Sequence, residues 1–170
     1  MNDQSPHPVV ITLNDQDDVD VELRVWQALA VQVLESEGIE PDAELNVTFV
    51  GRDEMTELNE THMGKVGPTD VLSFPLEGVG SDEGHDVPPG QARLLGDVII
   101  CPEVVHAQAP AGPRDEMALM VVHGVLHILG MDHREPDEEA AMQAAERRHL
   151  DRWREVGVAA NAGGLGESAP

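Results

Sequence analysis

Residues 123–133, HGVLHILGMDH, place three histidines within eleven positions. His123 and His127 are four apart. On a helix they stand on one face, one turn apart, close enough to share a metal ion. Gly130 follows three residues later, and glycine takes the left-handed conformation that ends a helix. The chain can then turn and bring His133 back toward the first two. The spacing is H-x-x-x-H-x-x-G-x-x-H. Three imidazoles on a zinc leave a fourth position for water or substrate, as in catalytic sites. Structural zinc sites instead use four ligands rich in cysteine. The chain has one cysteine, Cys101. The expected cofactor is therefore Zn2+, one per chain, although imidazole also suits nickel, copper and iron.

The same spacing holds the zinc of the metzincin proteases, H-E-x-x-H-x-x-G-x-x-H, where the glutamate is the general base. Here that position is Gly124. The ligand set is present and the protease base is absent. Asp132, beside His133, either orients a ligand imidazole or is an ordinary loop carboxylate. Asp97, in LGDVII, is a charge in an apolar strand and needs a partner. It orients a ligand histidine, acts as a base, or makes a structural hydrogen bond; it is the one catalytic candidate. His7, His62, His85, His106 and His149 fall outside the pattern and read as ordinary histidines. Cys101 reads as a small buried hydrophobe.

The elements that must position these residues are legible in the apolar spacing. Alternation predicts a strand at 44–51, and short apolar runs predict strands at 9–13, 69–75 (ended by Pro75) and 94–101. Helical apolar spacing predicts a helix at 20–38, and 52–63 reads as a short polar helix. A further helix opens on Pro102, and the helix over 111–130 is apolar on nearly every side, hence buried. An amphipathic helix covers 134–157. Residues 76–93, rich in Gly, Pro and acid, read as a loop. Interleaved strands and helices give an α/β (α+β) class: a single domain with a central mixed sheet of about four strands, helices packed around it, and a buried histidine-bearing helix. The expected boundaries are a flexible N-terminus at 1–8, a metallohydrolase-like domain at 9–157, and a disordered tail at 158–170 that lacks core formers.

The 170 residues suit one core, built from aliphatic side chains because the chain has two Trp, two Phe and no Tyr. Ten Lys and Arg against 33 Asp and Glu give a net charge of −23. Such a chain repels polyanions on average, so contact with a nucleic acid requires a local positive site or a cation. An acidic surface adapted to high salt is one reading of this charge. No apolar run reaches the roughly 18 residues of a membrane span, and the first residues carry no secretory pattern. The expectation is a cytoplasmic protein without a membrane.

VVHGVLHILGMDH (121–133) strongly resembles the signature of the YbeY family, bacterial endoribonucleases that act in ribosomal RNA maturation. LNETHMGK (58–65), GPTDVLSFP (67–75) and LLGDVIIC (94–101) resemble further family segments in the same order. The resemblance spans roughly residues 9–155, and the family's zinc-binding histidines map onto His123, His127 and His133. It implies a single-strand-specific, metal-dependent endoribonuclease in 16S rRNA 3′ end maturation and ribosome quality control. The implied partners are ribosomal RNA and the small ribosomal subunit, with small-subunit proteins or an assembly GTPase as further candidates. It also suggests that the 69–75 strand borders the substrate cleft, with Thr69 and Asp70 either functional or purely structural.

The chain departs from the family at one point. The family often has Tyr-Arg before Gly-Lys, and here the pair is His62-Met63. A methionine holds no phosphate, so Lys65, Arg52 or Arg93 must supply positive charge, or activity is weaker. Met63 and the acidic charge also fit a non-catalytic, zinc-stabilised ribosome-assembly factor. A zinc peptidase with metzincin-like ligands is disfavoured by Gly124. The nucleophile is open between water and the RNA 2′-hydroxyl, which a 2′,3′-cyclic phosphate product would distinguish.

Overall fold

The computed structural model describes residues 6–76, 88 and 90–164, the last seven by backbone alone. In chain order the elements are β1 (Val9–Asp15), α1 (Leu23–Ser36), β2 (Ala43–Val50), α2 (Arg52–Met63), β3 (Val71–Pro75), β4 (Arg93–Ile100), α3 (Pro102–Gln108), α4 (Pro113–Ile128) and α5 (Pro136–Gly164). Three of these helices open on proline, which lacks an N–H and so forfeits nothing at a first helical position. The sheet order is β1-β2-β4-β3. β1, β2 and β4 run parallel, and β3 pairs antiparallel with β4. This is the expected single-domain α/β architecture with a four-stranded mixed sheet.

Alternation along the strands sorts the core into two layers. Leu45, Val47 and Phe49 of β2 and Val98 and Ile100 of β4 join Leu29, Val33, Val121, Val125 and Ile128 in one buried cluster with α1 and α4. Leu72, Phe74 and Ile99 face the other way, onto α2 and α3 through Met55, Leu58 and Val104. Cys101 is buried in this second cluster.

α4 is buried on most of its circumference, so its polar residues are conspicuous. Gly124 lets it sit directly on the sheet. A Cβ at that position would lie 2.6 Å from Cγ1 of Val98 and 3.3 Å from Cγ2 of Val71.

Two elements run two or more residues beyond the sequence reading, while α1, β3 and α4 are shorter than expected by two or more. β1 continues to Asp15 because its last residues still pair with β2, Asp15 opposite Val50. α5 runs to Gly164, through the first seven residues of the stretch expected to be a disordered tail. Propagating an existing helix needs no core, and Ala159, Ala160 and Ala162 are strong helix formers. Residues 165–170, 1–5 and most of the 76–93 loop, including His85, lie outside the described residues.

Candidate metal centre

His123 and His127 lie on the last turns of α4, whose final carbonyls must find donors. Gly130, at φ +94°, turns the chain back. Its N–H bonds the His127 carbonyl at 3.0 Å, and the Met131 N–H bonds the Leu126 carbonyl at 3.1 Å. This is a Schellman ending with glycine at the left-handed position. Three residues later His133 meets the two helical histidines, as the spacing predicts. The candidate ligand nitrogens of all three lie within 4.8 Å of one another.

The hydrogen bonds around the rings define which nitrogens are free. Oε1 of Glu146, on α5, lies 2.6 Å from Nδ1 of His123. A carboxylate only accepts, so Nδ1–H donates and the Nε2 lone pair of His123 is left facing the cluster. There it lies 2.9 Å from Nε2 of His127. Two imidazole nitrogens on one tetrahedral zinc stand about 3.3 Å apart, so a small inward cation fits this trio with little movement. Burial is the main cause holding the His127 imidazolium below its ordinary value, followed by the charges of His123 and His133. A hydrogen bond to the Met131 backbone and the Asp132 charge oppose them. The neutral ring is the form that binds a metal.

Sequence reasoning missed Glu146. Its signal is a carboxylate on the buried stripe of an otherwise amphipathic helix, between Met142, Ala145 and His149. Asp132 does not orient an imidazole. Its Oδ1 accepts the backbone N–H of His133 at 2.7 Å, and its Oδ2 lies 2.8 Å from Nε of Arg134. These contacts fix the loop that carries His133. The His133 N–H is the main cause of a lowered Asp132 pKa, and Arg134 adds to it.

The trio lines an open cleft of about 570 Å³ together with Met63, Lys65, Thr69, Asp70 and Ser73. Asn59 is buried in α2 and donates to the Gly67 carbonyl at 2.8 Å, holding the turn that carries Lys65. Asp70 accepts from the Val71 N–H at 2.8 Å and from the Thr69 hydroxyl at 3.3 Å. Ser73 donates its hydroxyl to the Gly124 carbonyl at 3.0 Å, tying β3 to the histidine helix. Arg134 also lines the cleft, and the sequence reading did not single it out.

The other sequence candidates lie elsewhere. Val98 faces α4, so Asp97 points to the opposite side of the sheet, where it accepts a hydrogen bond from Asn46 at 3.1 Å. That is the structural alternative, and it removes Asp97 from the histidines. Arg52 pairs with Glu103 at 2.8 Å in an acidic hollow with Asp15, Asp18 and Asp53. Arg93 opens β4 opposite Ala43. Of the three proposed cations, the structure brings Lys65 alone to the cleft. His149 is buried against Glu37 at 2.6 Å, and His62 packs edge-on to Phe74.

The model of the family described as Endoribonuclease YbeY matches residues 11–154 of this chain. A Salinispora tropica protein named Endoribonuclease YbeY is 41% identical over 150 residues, covering 85% of this chain and 96% of its own. A Beutenbergia cavernae protein of the same name is 42% identical over 141 residues, with coverages of 81% and 93%. The solution structure of TM1509 from Thermotoga maritima superposes with a TM-score of 0.58 at 23% identity, covering 95% of this chain and 97% of that one, and so shares the fold. Among the described residues, no helix is long and apolar enough to cross a membrane.

Proposed function

The chain belongs to the endoribonuclease YbeY family, and on that premise we propose that it is a zinc-dependent endoribonuclease that cuts single-stranded RNA. Its setting in this reading is 16S rRNA 3′ end maturation and ribosome quality control in the cytoplasm. Its partners are ribosomal RNA and the small subunit, with small-subunit proteins or an assembly GTPase beside them.

One observation carries the reading: three imidazole nitrogens within 4.8 Å of one another in the wall of an open cleft that also holds Lys65 and Arg134. When bound there, the metal supplies positive charge that polarises a phosphate oxygen and offsets the developing negative charge. The remaining work belongs to the protein. Glu146 takes the Nδ1–H of His123 and aims its Nε2 inward. The half-buried His127 keeps its lone pair free near neutral pH. Asp132 sets the His133 loop. Lys65 and Arg134 answer the repulsion that a chain of charge −23 presents to a polyanion.

The test is cleavage of a single-stranded RNA beside a duplex of the same sequence. We expect single-strand cutting that chelation abolishes, zinc restores and His127→Ala lacks. A second reading, a zinc-stabilised assembly factor without nuclease activity, is favoured by Met63, an exposed thioether in the cleft wall. It predicts a lower Tm on metal removal and no cutting by the wild-type protein. A peptidase using these ligands is disfavoured, since a side chain at position 124 would meet Val98.

A further inference from the structure

A second hollow, of about 330 Å³, opens between α4 and α5, and His123 and His133 border both it and the cleft. Its lining divides by chemistry. Leu119, Met120 and Met142 form an apolar wall, while Glu139, Gln143 and Glu146 supply polar groups. Glu146 is already committed to His123. Glu139 and Gln143, one helical turn apart, are held together by a hydrogen bond from Gln143 Nε2 to Glu139 Oε1 at 3.3 Å. That contact uses one lone pair of Oε1 and leaves its other lone pair, the second carboxylate oxygen, one amide N–H and the amide oxygen for a ligand.

We propose that this hollow is a guanine-binding subsite for the nucleotide flanking the scissile phosphate. The inference rests on the RNA-cleaving reading and adds a sequence preference to it. Two carboxylates border the hollow, so phosphates are repelled and the uncharged part of a nucleotide is what enters. A strand whose phosphate lies at the histidines carries its neighbouring base within reach of a cavity that shares two of those histidines. A flat ring matches the Leu and Met wall, as unstacked bases do on apolar and aromatic surfaces. Guanine alone among the four bases presents two adjacent donors, N1–H and N2–H, on its Watson–Crick edge, the pair a carboxylate accepts together. Its O6 accepts the free N–H of Gln143. Uracil offers one donor between two carbonyls, which Glu139 repels.

The test is equilibrium binding of GMP, AMP, CMP and UMP to the zinc-loaded full chain, alongside mapping of cut sites in a random single-stranded RNA. A bidentate base contact discriminates by about tenfold or more. GMP should therefore bind about tenfold tighter than UMP, and Glu139→Gln and Gln143→Ala should each bring the ratio within about twofold. Cut sites should be enriched in guanine beside the broken bond, and less so in both variants. Equal binding of the four nucleotides, or a GMP preference retained in both variants, overturns the subsite. Zinc-dependent cutting without base preference overturns it while leaving the nuclease reading intact. A GMP preference without any cutting does the reverse.

Discussion

Glu146 reaches across from α5 to within 2.6 Å of the Nδ1 of His123 on α4, and 14% of its side chain is exposed. The carboxylate fixes both the tautomer and the tilt of an imidazole 23 positions earlier in the chain. Partners of this kind are worth about 10–100-fold in metal affinity. We expect Glu146→Ala to lose zinc to a competing chelator at correspondingly lower chelator concentration, and Glu146→Gln to lose less. Wild-type retention by the alanine variant would remove the carboxylate from the site.

The trio itself predicts one metal ion per chain. His123→Ala, His127→Ala and His133→Ala should each lose it after exposure to excess zinc and desalting, measured by elemental analysis of protein whose fold is verified by circular dichroism. If any one variant keeps a full equivalent, the three-histidine assignment fails.

Gly124 makes a prediction about packing. A methyl group there would sit 2.6 Å from Cγ1 of Val98, and overpacking of a tight core costs about 1–3 kcal/mol. Gly124→Ala should lower stability to denaturant by about that amount. Adding Val98→Ala, which deletes the opposing methyl, should recover part of it. Additive losses in the double variant would show that the contact is not the cause.

Acid should weaken the metal-free protein through His127. Its folded pKa is lowered from 6.5, chiefly by burial. The folded state therefore binds this proton more weakly than the unfolded chain does. The contribution is whole above about pH 6.5 and is lost as pH falls from there through the folded value. The Tm of the metal-free wild type should drop more between about pH 7 and pH 5 than that of His127→Gln. Parallel pH profiles would count against it.

Lys65 is the sequence-selected cation that the fold delivers to the cleft. Lys65→Ala should weaken single-stranded RNA binding and reduce the slope of log affinity against log salt by about 0.7. Arg52→Ala should leave that slope unchanged, because Arg52 sits beside Glu103 away from the histidines.

The histidine trio was legible because all its information is local: two residues one helical turn apart, a glycine that ends the helix, and a third ligand just beyond. The strands were legible for a similar reason, since each is a short apolar run and β2 alternates. Glu146 was not, because its partner lies on another helix and the spacing between them repeats nothing. Asp97 stayed open among three roles for the converse reason. Its neighbours mark a strand, but which side of that strand meets the histidine helix is settled by Val98 and Gly124. Arg52 and Arg93 illustrate the same limit: composition identifies cations, and tertiary placement decides which of them share a wall with the site. The length of α5 escaped because an alanine-rich helix continues without needing anything to pack against.

The contact between position 124 and Val98 also bears on descent. The metzincin ligand pattern and this one differ by a single letter, yet that letter is held by the distance between a helix and a sheet. Introducing the glutamate would set its Cβ against the Val98 side chain, so it needs room made on β4 or a shift of α4, the helix that Ser73 ties to β3. A lineage with this architecture therefore reaches the metzincin letter only with a compensating change beside position 124. Steric room beside β4 thus governs which residue can neighbour the first histidine of the trio.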